Sequence, residues 1–466
     1  MRYPWWYVPF LTSPMLIAVV SVIHVLLAHY AVGGGMFLAV EAYYAYRRRN
    51  APYLEYLRKH ARFFMYVTVV FGAVTGVGIW WTIGLASPLA TEVLIRTFVF
   101  AWATEWVTFV VELVTVFLFA YGFGRTAPRW HVAFAAAYAA AAWLSLVIIT
   151  AITAFMLNPG RWIETPTFAA AFFNPQFLPQ VISRTGGALM LCTLYVYLHT
   201  SFTVNDADLR DLVQRRSTRP ALLGAVLICL GGLWWYAALP ASSKAALAAA
   251  SVLNLMMVGI FALTVVVFFA LYVGPASHPG WLTPGFSLLL FLCGLAAFST
   301  GEFIREAVRK PYIVYNFVTG NQLTIHDTKH VRREGVLNSY RWLHTYVRQH
   351  YPELIDSNGR VLYEKLPELA VKDRIELGRA IFLYCCNNCH AEARGYSAVG
   401  YLIHGWNRDM ILRTIHHLHE ADFFMPPWPG NAAEAELLAD YLYSIAPEKP
   451  RGMLFGVPKE EESNER

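Results

Sequence analysis

Cys386, Asn387, Asn388, Cys389 and His390 form the stretch of this chain whose residue types and spacing specify a chemistry almost unaided. Two thiols three positions apart can add across the two vinyl groups of one haem, and the histidine that follows can sit beneath the iron. A bare Cys-x-x-Cys would leave a redox dithiol or half a zinc site open, but the histidine is in place and no second cysteine pair of that spacing exists. The spacing points to one covalent haem c. Met425, 35 residues after His390, begins Met-Pro-Pro-Trp and offers a thioether to the opposite axial position from a proline-stiffened loop. Cys385 is a spare thiol beside the signature with no assigned role. Cys192, Cys229 and Cys293 stand singly in apolar runs, as small buried hydrophobes do.

The elements that must position these residues are mostly lipid-embedded. Hydrophobic residues make up 57% of the 466 and charged ones 15%, against about half and a quarter in ordinary soluble chains. With about 20 apolar residues per crossing, eight spans are expected, at about 14–45, 62–86, 94–123, 131–156, 180–203, 220–239, 246–273 and 284–304. The first reads as an uncleaved span, since it lacks a basic leader and a small-residue cleavage site. Arg47, Arg48, Arg49, Arg58 and Lys59 follow span one, Arg125 and Arg129 follow span three, and Arg210, Arg215 and Arg216 follow span five. The positive-inside rule puts these loops in the cytoplasm and both ends of the membrane part outside. Covalent haem attachment in bacteria is completed on that same outer face. The formal charge of +6 is then largely loop charge, and nucleic-acid binding is excluded as a class.

After the membrane part (residues 1–312) come a polar connector on the outer surface (313–366), a small soluble helical domain (367–447) and a charged tail (448–466) expected to be disordered. The soluble domain reads as a helix ending at the haem cysteines, a middle helix near Arg408 to His419, the Met425 loop and a last helix over Ala433 to Ile445. This order resembles that of a class I cytochrome c. His404, His416, His417 and His419 are further imidazoles there, read as solvated surface. The expected fold class is all-α.

Ionisable groups inside spans cost several kcal/mol unless paired or wetted. His24 and His29 lie five apart in span one and project roughly 140° from one another, so they cannot both face one cofactor. Glu105 and Glu112 share a face of span three with no basic residue within a turn, which suits a proton path or a cofactor wall. Glu302, Arg305, Glu306 and Arg309 close span eight, at a spacing that an interfacial ion-pair ladder would equally explain.

Residues 10–312 resemble subunit I of the cytochrome bd-type quinol oxidases. His24, with Gly33 nine residues on and then Glu41, resembles the family's first-span histidine, an axial ligand in its high-spin dihaem site. Gly72-Ala73-Val74-Thr75-Gly76 resembles its second-span Gly/Thr motif. Glu112, ten before Gly122, resembles the third-span glutamate of its proton path, and Ser145, thirteen before Asn158-Pro159, the fourth-span serine. Glu105 is one residue out of register with the other family glutamate. Met257 falls where the family has a methionine ligand of its low-spin haem b. Glu306-Ala307-Val308-Arg309-Lys310-Pro311-Tyr312 resembles the signature Glu-x-Gly-Arg-Gln-Pro-Trp, with Glu306 in the place of a haem b ligand and Arg309 beside it. Three departures stand out. Ile182-Ser183-Arg184-Thr185 replaces the histidine that opposes the low-spin methionine, and His199 is the remaining imidazole in span five. The outer loop between spans six and seven, which handles quinol in the family, shrinks to about Pro240 to Lys244. The haem c domain stands where the family has a ninth span.

The resemblance implies an oxidoreductase of a respiratory chain, with haem b or haem d, two in the membrane part, alongside the single haem c. It also implies a second membrane subunit, while the haem c domain suits an external cytochrome or other redox partner. Three functions follow from these features. One is an oxidase-like subunit whose outward haem c exchanges electrons with membrane haems held by His24 and Glu306. The second is an electron-transfer module without oxygen chemistry, and the third a membrane anchor for the haem c domain.

Overall fold

A computed structural model describes residues 3–275 and 277–446, and the charged tail (448–466) lies outside these described residues. Two compact units emerge. One comprises residues 17–84 and 90–317, the other residues up to Leu16, Leu85–Leu89 and the chain from Val318 onward.

Among the described residues eight helices are long and apolar enough to cross a membrane, as expected: Ser13–Arg48, Ala51–Ala86, Val99–Gly122, Pro128–Leu157, Phe177–Thr203, Ala207–Ala237, Ser251–Val273 and Pro284–Ala307. Their order is that of the eight expected spans, numbered one to eight below, but several ends differ. The second helix begins at Ala51, where Asn50 accepts from the Tyr53 amide, and its first turns bury Tyr53, Tyr56, Leu57 and His60. Those turns carry too much charge to read as a span, yet their apolar face docks. The third begins at Val99 because Pro88–Thr97 forms a separate helix. Large apolar side chains such as Trp81, Leu233 and Leu255 point outward, the arrangement that lipid permits and water does not. Small residues set the close helix crossings. A Cβ on Gly33 would lie 2.0 Å from the Ala188 carbonyl oxygen, and one on Gly186 would lie 2.5 Å from that of Gly224.

In the other unit Val371–Cys385 packs across Ala432–Ile445, and a Cβ on Gly378 at the crossing would lie 2.0 Å from the Leu437 carbonyl oxygen. Arg374 and Arg408 both reach Asp440, at 2.5 and 2.6 Å, tying these helices to Arg408–His416. Residues 313–366, expected as a surface connector, instead supply part of this core from about Leu323 on. Val336, Leu337, Leu343 and Val347 are buried in one cluster with Leu377 and Phe382. The reason is amphipathicity: Leu343 and Val347 lie four apart on Arg341–His350, so a polar helix still owns one apolar face. Glu434 locks the arrangement. Its fully buried carboxylate accepts from the amides of Val336 (2.9 Å), Leu337 (2.7 Å) and Asn431 (2.9 Å) and from the Tyr363 hydroxyl (2.8 Å). Burial raises its pKa, and those four donors work against the rise.

Candidate functional site

The haem signature lies at the end of Val371–Cys385, where the chain turns sharply. Asn387 holds the turn, donating to the His390 carbonyl at 2.9 Å and accepting from the Trp5 indole at 3.1 Å. The remaining N-terminal residues also cross this region. The Tyr7 hydroxyl donates to Glu392 at 2.7 Å, and the Tyr396 amide donates to the Phe10 carbonyl at 2.6 Å. Gly395 has φ +117°, and a Cβ there would lie 2.3 Å from the Phe10 oxygen, so no other residue fits beneath the strap. His390 Nδ1 faces the Ser397 carbonyl at 2.9 Å, which makes it the protonated nitrogen and leaves the Nε2 lone pair free. This is the posture of a metal-ligating imidazole. Burial lowers its pKa, partly opposed by the Ser397 bond, so the ring is neutral. Cys386 and Cys389 are half-buried at this turn. The Met425 loop is pinned on both sides: His419 Nδ1 donates to the Met425 carbonyl at 2.8 Å, and Arg332 donates to the Trp428 carbonyl at 3.0 Å. Both amide atoms of Asn388 and Nε2 of His404 are buried without hydrogen-bond partners. His404 is thus not the solvated surface residue expected, whereas His416 and His417 are exposed. The donor set and these orphaned polar atoms fit a haem.

In the membrane unit, Thr75 donates its hydroxyl to the Phe71 carbonyl at 2.7 Å, so it can only accept from His24 Nδ1, 3.0 Å away. His24 therefore also keeps a free Nε2 lone pair. A Cβ on Gly76 would come within 3.2 Å of the same ring. The Gly/Thr motif of span two is a seat for the histidine of span one. Glu306 is held by Arg309 and by Lys310 (3.6 Å), and Arg309 also donates to the Ile313 carbonyl at 2.8 Å. An imidazole and a carboxylate, each oriented by a neighbour, suit haem iron. Ser145 donates to Glu105 at 3.1 Å, joining two residues 40 positions apart, while Glu112 Oε1 is buried with no partner. His29 is tied through Nδ1 to the Val25 carbonyl at 2.8 Å, and its Nε2 is buried and unpartnered.

The model of the cytochrome bd terminal oxidase subunit I family matches residues 13–250. The chain belongs to that family. The protein is a multi-pass bacterial membrane protein. Its structure is similar to that of bd oxidase from Geobacillus thermodenitrificans, at 18% identity and a TM-score of 0.56 over 65% of this chain and 87% of the other, a likeness of fold. No curated protein matches the chain. The family binds haems b and d, and bd oxidases typically have a second subunit.

The span-five segment 182–185, which the resemblance sets against the family's low-spin haem, holds no imidazole. Arg184 reaches Glu302 of span eight at 3.5 Å, and Glu302 also accepts from Arg305 at 2.9 Å. A largely buried Arg–Glu–Arg triad occupies this place. The other imidazole of span five, His199, has its Nδ1 3.2 Å from Nδ1 of His60. Met257 is half-buried. Arg184 carried a signal in the sequence, since a lone arginine deep in an apolar run must find an acid. His60 gave less, because it sits in a charged stretch before the expected start of span two.

Proposed function

We propose that this protein is a redox subunit of a respiratory oxidase, in which a C-terminal cytochrome c domain serves as the electron port to the haem site of the membrane unit. When bound, the haems supply one-electron transfer between an external donor and the membrane interior, where oxygen is reduced. In this reading Cys386 and Cys389 anchor haem c, His390 and Met425 hold its iron, and His24 and Glu306 hold membrane haem iron with Arg309 orienting Glu306. Glu105, Ser145 and Glu112 carry protons.

The observation that carries the proposal is the contrast between a complete haem donor set at 386–390 and the ion-paired Arg184 at the family's low-spin position. A route that lacks its usual entry needs another, and His/Met ligation suits exchange with external carriers. Covalent tethering keeps the port at high effective concentration without a tight interface. The positive-inside rule sets the start of span one and the end of span eight opposite the basic residues, which supports an outer position for the chain that precedes and follows the spans. A second membrane subunit and an external cytochrome complete the assembly.

Met425→Ala tests the port. Reduction of the membrane haems by a reduced external cytochrome is expected to be lost with those haems still bound, and unchanged rates would remove the proposal. A second reading, electron transfer without oxygen chemistry, draws on the engagement of Glu306 by Arg309 and Lys310. A spectral shift of the reduced protein with carbon monoxide excludes it.

A further inference from the structure

Three spans of the membrane unit bring together a hydrogen-bonded row that the roles above do not use. His60, fully buried in span two, has both ring nitrogens engaged: Nε2 lies 3.2 Å from the Tyr30 hydroxyl of span one, and Nδ1 lies 3.2 Å from Nδ1 of His199 in span five. Tyr30 is also fully buried and stacks on Tyr195, with centroids 4.0 Å apart. His199 is only half-buried and sits one turn from the end of its helix at Thr203, a few residues before the helix Ala207–Ala237 that carries Arg210, Arg215 and Arg216. The row thus runs from the rim of the bundle inward to the span that carries His24.

We infer that His199, His60 and Tyr30 form a proton relay leading inward from the basic-loop side, separate from Glu105, Ser145 and Glu112. The inference rests on the oxygen-reducing reading above, which consumes protons. Two imidazoles that share an Nδ1–Nδ1 hydrogen bond must hold opposite tautomers, one donating and one accepting. For inward transfer, His199 carries its proton on Nδ1 and His60 on Nε2. A proton arriving at His199 Nε2 releases the Nδ1 proton to His60, which releases its Nε2 proton to the Tyr30 oxygen, whose hydroxyl proton passes to a water molecule. One proton enters and one leaves, and both rings then turn to restore the starting tautomers before the next proton. Histidine chains in membranes serve as such relays.

The surroundings favour transfer over trapping. Phe63 stacks on His199, and Tyr56 stacks on His60. The Tyr56 hydroxyl is bonded to Thr200 at 2.8 Å. The acid in this region, Glu41, is held by Arg216 and by the Tyr53 hydroxyl. Neither imidazole has a carboxylate ion-pair partner among the described residues.

The test uses the full-length holoprotein in liposomes, with proton uptake from the basic-loop side followed by a pH-sensitive dye during turnover with an artificial donor. His60→Gln keeps a hydrogen-bonding side chain that cannot accept and release a proton in turn. Tyr30→Phe keeps the stack on Tyr195 and removes the hydroxyl. Each is expected to slow uptake about 10-fold or more with unchanged haem spectra, and undiminished uptake in both overturns the relay. A wild type that takes up no protons removes the oxygen-reducing reading, and the relay with it. The resting protein labelled with ¹⁵N-histidine gives a readout apart from turnover. A nitrogen–nitrogen coupling across the shared proton, with His199 protonated on Nδ1, supports the relay, and two uncoupled rings refute it.

Discussion

The two units present donor side chains by opposite strategies. In the C-terminal unit the candidate ligands lie close in sequence, and backbone carbonyls aim them: Ser397 orients His390, and His419 and Arg332 pin the Met425 loop. In the membrane unit several candidates meet side chains of other spans, while Glu306 is held by Arg309 and Lys310, close by in the chain. Thr75 seats His24, Ser145 meets Glu105, and Glu302 joins Arg184. The difference follows from solvent. A soluble loop has free carbonyls to lend, whereas helices in lipid must spend theirs internally, so side chains across the bundle are what remains. A site of the second kind depends on packing between helices and should fail more globally when one member is lost.

The strongest way to break this comparison is Glu302→Gln, which leaves the largely buried Arg184 and Arg305 without their common partner. Removing one member of a fully buried ion pair costs about 3–5 kcal/mol, an upper bound here. The thermal midpoint of the membrane unit in mild detergent should fall markedly, while the absorbance of the proposed haem c in the C-terminal unit holds. If both units lose stability together, the two strategies are not independent.

Legibility followed the same division. The eight spans could be read because lipid demands long apolar runs, and the haem signature because its donors are covalently close. The partners across the bundle could not. Nothing near Arg184 in the chain announces Glu302, 118 residues away, and nothing near Glu105 announces Ser145, 40 residues away. His60 was hidden because the stretch before span two is charged on one face and apolar on the other, and hydropathy averages the two. The same averaging concealed the core contributed by Leu343 and Val347, so that a structural segment read as a connector.

A smaller effect sharpens the comparison inside the membrane unit. Glu112 Oε1 has no partner, unlike Glu105, so its replacement breaks no hydrogen bond at that atom and tests function with little structural penalty. Glu112→Gln should lower turnover with an artificial donor by about 10², at every pH, with haem content and thermal midpoint unchanged. Unaltered turnover across the pH range would leave Glu112 outside any proton route.

The smallest expected effect lies in the C-terminal unit, where a local site should respond locally. Burial alone would raise the pKa of Glu392, but hydrogen bonds from Arg379, Tyr441 and Tyr7 bring it below its ordinary value. A depressed folded-state pKa means that the carboxylate adds stability in full above the unfolded value of about 4.3. That contribution is lost as the pH falls through the folded value. Tyr7 belongs to the N-terminal strap, so the loss should release residues near Tyr7 before it disturbs the crossing of Val371–Cys385 with Ala432–Ile445. Glu392→Gln should lower the midpoint of this unit, followed by the absorbance of the proposed haem c in the full-length protein, by about 2–4 °C at pH 7. The two proteins should converge once the pH has fallen below the depressed folded value. A difference that persists after Glu392 is protonated would mean that it acts through shape and not charge, and a difference absent at pH 7 would mean that the strap is held by Trp5 and Phe10 alone.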